Sequence, residues 1–481
     1  MSLTSALSSA MSGLRTVSRG SEIVSNNIAN ASTPGYARRT LAISSNGTGT
    51  GTGVRVDGIV RHVDQQVLND RRMAGAEYGY RNETTTALTR IEDLIGVPGA
   101  TGSLSARLAN FEQSLITAAS RPDASERLDA AAYAAKDLAS SINAVSDGIQ
   151  SLRSSADRSI DAQVTRLNDA LKGVEKLNAQ ITATNARNAD ISALQDERQR
   201  LIDEISEMVP TRVVDRDHGV VSLYSSGGAI LLEGRAVEIG FEPVNTVTPY
   251  ASIDDGTLSG LTIDGFAVNT SSKNGRLHGG TLGAQFEIRD EIAPDAQADI
   301  DAFARDLIER FEDPAVDTTL TPGQPALFTD SGAAFDPTAE VGLASRLSLN
   351  TIVDPAEGNE TWRLRDGLGA TGPGPSGLAT QLTALTDALT TSRTSGGSTT
   401  AETAESRVAN LTSKFGSDRL REEQFLSFAS AQFSELTQIE LANGVDSDVE
   451  IQNLMVLEQA YAANARVIEA VDEMFDALLR I

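Results

Sequence analysis

Two apolar stripes, one at each end of a 481-residue chain, limit what it can fold into more than any other feature. Near the N-terminus Leu3, Leu7, Ala10, Leu14, Val17, Ser21, Val24 and Ile28 recur at alternating steps of four and three. Near the C-terminus Leu454, Leu457, Tyr461, Asn464, Ile468, Val471, Phe475 and Leu478 recur at steps of three and four. A seven-residue repeat keeps one face of a helix apolar and asks for a partner helix. The stripes are therefore expected to pack on each other, within one subunit and across subunits. Two helices alone bury too little apolar surface to offset the entropy of ordering them. The spacing thus predicts ends that order fully only when neighbouring copies cover their remaining faces.

Between the stripes the texture changes several times. Ser32-Thr33-Pro34-Gly35 ends the first helix, and residues 36–45 and 54–60 flank the glycine-threonine run 46–53 as a β-hairpin with its tip. Helical periodicity then dominates to about residue 210, with a long stripe through Ile149, Leu152, Ala156, Ile160, Val164, Leu167, Leu171, Val174, Leu177 and Ile181. Short β-branched runs separated by glycine fill 211–280, helix returns over 282–311, and a Pro- and Gly-rich stretch holding Trp362 covers 313–375. A last bundle helix carries Phe425, Phe428, Gln432, Leu436 and Ile439 up to a break at Gly444, and Ser447 with Glu450 forms a capping-box pattern ahead of the final stripe. The expected fold is mainly α with β inserts: terminal helices in a coiled coil, an elongated helical bundle, and small outward β domains. Its expected divisions are 1–60 with 441–481, 61–210 with 281–312 and 376–440, 211–280, and 313–375.

Charge and composition remove several function classes. A formal charge of −26 opposes nucleic acid and anionic membrane surfaces. Cysteine is absent, so disulfides and thiolate metal sites are out of reach. No segment has the apolar length of a membrane span, and residues 1–30 lack the basic start and apolar run of a cleaved signal. His62, His218 and His278 fall in three different regions, without metal-ligand spacing. His278-Gly279-Gly280 has no Gly-x-Ser-x-Gly elbow to supply a nucleophile, and reads as a turn. The glycine run at 47–53 fits no phosphate-binding pattern, and Asp446, Asp448 and Glu450 suit a helix N-terminus better than a calcium loop. No catalytic residue, cofactor or metal is expected.

The end motifs carry a family resemblance. Val24-Ser25-Asn26-Asn27-Ile28-Ala29-Asn30 followed by Thr33-Pro34-Gly35-Tyr36 resembles the signature of the flagellar rod, hook and hook-associated proteins. Gly444-Val445-Asp446, Asn453-Leu454, Glu458 through Ile468, and Asp472-Glu473-Met474 resemble the matching C-terminal end. Inside, Leu194 through Ile202 and Gly279 through Gly283 with Arg289-Asp290 resemble the bundle of hook–filament junction members, whereas a rod or hook subunit would have a mostly β interior. The resemblance implies export through the flagellar type III apparatus to the extracellular flagellum, with no cleaved signal peptide. It also implies a ring of copies between the hook protein and a second junction protein, and a cytoplasmic chaperone on the C-terminal helix. Leu3, Leu7, Leu14, Val17, Val24 and Ile28 would then meet Leu454, Leu457, Tyr461, Asn464, Ile468, Val471, Phe475 and Leu478, with Asn26, Asn27 and Asn30 capping or cross-linking helix ends. The rival reading is an enzyme domain, in 211–375, displayed on an axial scaffold.

Overall fold

The computed structural model describes residues 3–33, 35–45, 53–187, 189–244, 246–270, 275–396 and 400–479. The chain opens on helix α1 (Leu3–Ala29), followed by an antiparallel hairpin of β1 (Arg39–Ser45) and β2 (Val54–Arg61). The expected hairpin tip at 46–52 and Pro34 of the turn lie outside the described residues. Helix α2 (Gln65–Ile95) starts where the Asp64 carboxylate accepts from the backbone N–H groups of Gln66 and Val67. Then come α3 (Leu104–Ser120), capped by Ser103, the long α4 (Ser125–Asn185) and α5 (Ser192–Met208).

Helix α4 is the spine. Its 61 residues extend roughly 90 Å, and every position of the stripe from Ile149 to Ile181 is buried. The first half of α4 joins α3 and the helices of the chain's later half in a core where Phe111, Phe311 and Phe328 meet at centroid distances of 5.4 to 6.2 Å. The second half of α4 forms a separate core with α5 and the β insert.

That insert holds a four-stranded sheet ordered β3 (Thr211–Asp215), β4 (Val221–Ser225), β5 (Ile230–Glu233), β6 (Arg235–Ala236). A three-stranded sheet follows, of β7 (Ile239–Gly240), β8 (Leu261–Ile263) and β9 (Phe266–Val268). The chain re-enters the bundle at His278-Gly279-Gly280, where Gly280 takes φ +65° and a Cβ would lie 2.4 Å from the Met208 carbonyl oxygen. Glycine is required there, so the structural reading of this motif accounts for it.

Helix α6 (Gly280–Glu287) runs through one π-turn at Ile288–Ile292 into α7 (Ala293–Glu312). The wider turn falls just ahead of Pro294, which lacks an N–H for the α-helical ladder. The 313–375 segment contains the strand pair β10 (Phe328–Asp330) and β11 (Leu347–Leu349) with short helices α8 (Leu343–Arg346) and α9 (Arg363–Asp366). Helices α10 (Thr380–Thr390), α11 (Ala404–Ala442) and α12 (Ser447–Leu479) complete the chain. The fold is thus mainly α with β inserts.

Two buried ionic knots join separate parts of the fold, the first tying the β insert to the spine and the second tying α7 to α10 and the approach to α11. Arg289 and Asp157 pair at 2.7 Å with both side chains fully buried. The second Asp157 oxygen accepts from the Val244 N–H at 2.6 Å, and Arg289 Nη2 donates to the Ser259 carbonyl at 2.9 Å. Arg153 donates to the carbonyls of Thr248 and Ala251. Arg310, held by Asp306, donates in the same way to the carbonyls of Ala388, Thr391 and Glu402. Arg153 and Arg310 each spread their charge over three backbone carbonyls, and Arg289 divides its own between Asp157, Asp290 and the Ser259 carbonyl, which offsets desolvation.

Candidate assembly surface

Helices α1 and α12 lie side by side and antiparallel. Gly13 faces Asn464, Gly20 faces Leu457, and Asn27 hydrogen-bonds Glu450, so the register advances by seven residues on each strand of the pair. The glycines let the backbones close up. A Cβ at Gly13 would stand 2.8 Å from Asn464 Oδ1, and one at Gly20 would stand 3.2 Å from Leu457 Cδ2.

The buried face of α1 is Ala10, Val17, Gly20, Ile23, Val24 and Asn27. Leu3, Leu7, Leu14 and Ile28 sit half-buried on its edge. Small and β-branched residues hold most of the α1 side of the seam, and the space above Gly20 is filled by Leu457 of α12. On α12, Val471 is buried, while Leu454, Leu457, Asn464, Ile468 and Phe475 are half-buried. Tyr461 and Leu478 are exposed: Tyr461 has rotated to the edge of the seam, and Leu478 lies past the first described turn of α1.

The asparagines divide in role. Asn27 is fully buried, Asn26 is exposed, and the Asn30 amide donates to the Asn26 carbonyl as a local helix ending. Asn27 Nδ2 donates to Glu450 Oε2 at 3.1 Å and to the Arg39 carbonyl at 2.8 Å, while its oxygen accepts from the Tyr36 hydroxyl at 2.9 Å. Burial pushes the Tyr36 phenol above its ordinary value, which keeps it a donor. Arg38 Nε reaches Glu450 Oε1 at 2.7 Å, and Arg39 and Arg61 both hold Asp196 on α5. One polar network therefore ties the root of the helix pair, through the hairpin, to the bundle.

The α12 start departs from the sequence reading. The Asp446 carboxylate accepts from the backbone N–H groups of Asp448 and Val449, so Asp446 caps the helix in place of Ser447. Glu450, expected to complete a capping box, is instead 1% exposed and serves as the partner of Asn27 and Arg38. Nothing local in the sequence marks this contact, because its members lie more than 400 residues apart.

The pair leaves apolar surface open. Val449, Val456, Val467, Met474 and Leu478, on one flank of α12, are each more than a third exposed. Val456 and Val467 form one wall of a groove of about 1000 Å³; α1 makes its floor, and Leu41, Ile43 and Val54 of the hairpin make the other wall. Further up, α11 shows Leu420, Phe428 and Leu441 to solvent, Phe428 at 75% exposure. Contiguous exposed surface of this kind marks interaction sites.

The three histidines weighed for the rival enzyme reading lie apart. His62 pairs with Thr40 on the hairpin, His218 occupies a turn at φ +61°, and the His278 ring sits edge-on to Tyr80. Among the described residues no group of His, Asp and Glu is arranged to hold a metal ion, and no helix is long and apolar enough to cross a membrane.

Comparison with known proteins agrees with this geometry. Residues 88–317 match the flagellar hook-associated protein FlgK helical domain. The ends match two further families: residues 7–36 the flagella basal body rod protein, and residues 442–481 the flagellar basal body rod FlgEFG protein C-terminal region. Flagellar hook-associated protein 1 of Escherichia coli is 24% identical over all of both chains. Its counterpart in Bacillus subtilis is 23% identical over 94% of this chain and 93% of that one. The Salmonella typhimurium protein is 27% identical over 57% and 51%. The solved flagellar hook junction protein FlgK from Burkholderia pseudomallei is 24% identical, at TM-score 0.44 over 56% of this chain and 47% of that one. With its interior and both ends matched, the chain belongs to the flagellar hook-associated protein 1 family, structural proteins of the hook–filament junction of the bacterial flagellum.

Proposed function

We propose that the helix pair α1–α12 is the assembly module of this junction protein, and that the chain works by packing and not by catalysis. Copies form a ring, with the hook protein on one side and a second junction protein on the other. Before assembly a cytoplasmic chaperone covers α12, and the chain leaves through the flagellar type III route without a cleaved signal, to act outside the cell. The observation that carries this reading is the flank of α12 beside the groove, apolar surface that no described element of the subunit covers. The small-residue seam supports it as well, because a narrow helix pair can sit among other helices of the same kind.

Deletion of residues 1–30 tests the proposal. The truncated chain should keep the cooperative melting transition of its bundle, and cells carrying it should retain hooks but lose filaments. Filaments at wild-type number on the truncated protein would overturn the role of α1. Hydrogen exchange on the isolated subunit should find α1 and α12 less protected than α4; equal protection would remove the coupling of end-ordering to assembly.

A further inference from the structure

Arg198 of α5 is a buried cation short of acceptors. It is 8% exposed, and its Nη1 donates to Asn178 Oδ1 at 2.9 Å and to the Gly219 carbonyl at 2.6 Å. Among the described residues Nε and Nη2 find no acceptor, and no carboxylate stands at ion-pair distance from the guanidinium. The other buried arginines are better served. Arg72, Arg289, Arg310 and Arg365 each pair with an aspartate, and Arg153 donates to three backbone carbonyls.

Arg198 lines a cavity of about 30 Å³ together with Arg61 of β2, Arg72 of α2, Gln195 of α5 and Asp215 of β3. The carboxylates that touch this group of arginines are already shared. Asp196 serves Arg39 as well as Arg61, and Asp203 serves Arg71 as well as Arg72, with Glu440 as a further partner of Arg71. Counting Arg198, five guanidiniums meet three carboxylates, and Asp215 acts on Arg198 only from a distance. A chain of net charge −26 thus encloses a small region of excess positive charge. Burial pushes the Arg198 pKa down to about 10; Asp215 opposes this, and Arg61 and Arg72 add to it. The group stays charged at neutral pH and lacks a counter-charge, which is costly in a buried place. Water in the cavity would accept from the free N–H groups but bring no charge, whereas a small anion brings both. One water needs roughly 10 to 15 Å³ of cavity, so this space suits one ion of similar size and is too small for a nucleotide or a phosphate ester.

We propose that the cavity between Arg61, Arg72 and Arg198 is a binding site for a single monatomic anion of chloride size. Its walls come from the hairpin, from α2 and α5 of the bundle, and from the first strand of the β insert, so the bound ion fastens all three to one another. The site is independent of the assembly surface and would stabilise the isolated subunit.

The test compares sodium chloride with sodium gluconate, whose anion is too large for the cavity, at one ionic strength. The wild-type melting midpoint should rise with chloride and level off, by about 2 to 4 °C in all. Gln195→Glu sets a carboxylate at the cavity wall with almost no change of shape. In gluconate it should melt at the midpoint that the wild-type chain reaches in chloride, and it should lose the chloride response. A response of wild-type size in Gln195→Glu, or none in the wild-type chain, would overturn the site. A direct view needs no variant: crystals of the wild-type chain grown in sodium bromide should show an anomalous peak between Arg61, Arg72 and Arg198. Water density there without anomalous signal would refute the bound anion.

Discussion

The bundle around α4 and the pair α1–α12 are both helical, both patterned, and complete to different degrees. In the bundle, Phe111, Leu138, Ile142, Phe303 and Phe311 are among the largest fully buried side chains, and even the charged groups at its centre are enclosed and partnered. In the pair α1 buries Ala10, Val17, Gly20, Ile23, Val24 and Asn27 and no aromatic side chain, and α12 buries only Glu450 and Val471 along its whole length. The bundle supplies its own interior. The pair brings one half of an interior and exposes the other.

The sharpest way to break this contrast lies inside the bundle. Asp157→Ala would leave the fully buried Arg289 with Asp290 as its remaining carboxylate partner and release the Val244 N–H. A loss of about 2 to 4 kcal/mol is expected in urea unfolding of the bundle, short of the loss for a buried charge left wholly unpaired because Asp290 stays in place. Asp157→Asn, which keeps a hydrogen-bonding oxygen, should lose less. A change under about 1 kcal/mol for the alanine variant would mean that the knot adds little to the bundle's stability.

At the root of the pair the same kind of deletion should act locally. Glu450→Ala removes the acceptor of Asn27 and Arg38, and the expected cost is about 1 to 3 kcal/mol. It should appear as faster hydrogen exchange along α1, with the bundle transition unmoved. Gly20→Val asks the seam to open against Leu457, for a cost of about 1 to 3 kcal/mol read in the same way. If either change instead moved the bundle's midpoint in urea as much as Asp157→Ala, the two regions would be one cooperative unit.

The contrast also sets what the sequence could reveal. The α4 stripe is legible residue by residue, because a helix buried along one face needs large apolar side chains at helical spacing and little else. At the ends the repeat locates the helices and picks out Ala10, Val17 and Val24, which are buried, but it misses Gly20, whose lack of a side chain lets Leu457 approach, and Ile23. Asn27 stood among the expected cross-linking residues, yet its partner Glu450 reads as a helix-capping acid, since a contact across 423 residues leaves no local trace. The Arg153, Asp157 and Arg289 knot is invisible for the same reason. The exposed flank of α12 went unread because one apolar stripe was enough to predict a helix.

The gentlest probe of the contrast is pH, at Glu287. This carboxyl sits where α6 meets α2 and accepts a hydrogen bond from the Tyr80 hydroxyl. Burial pushes its pKa up to about 7, helped by the nearby Glu291 and Glu422. On the other side of Tyr80, His278 is pushed below its ordinary value by burial, so it brings no compensating charge at neutral pH, and Arg81 is engaged by Glu77 and Glu422. A carboxyl with a raised folded-state pKa binds its proton more tightly in the folded chain. The stability this gives is whole below about pH 4.5 and is lost as pH climbs through about 7. Glu287→Gln keeps the shape without the ionisation, so against wild type it should be neutral near pH 5 and gain stability near pH 8. The expected gain is about 1 to 2 kcal/mol, less than the full shift implies because the group is partly screened by solvent. Urea midpoints of the two chains across this range should diverge in the bundle transition, while hydrogen exchange along α1 stays matched; divergence along α1 as well would show that the π-turn region and the terminal pair are energetically coupled.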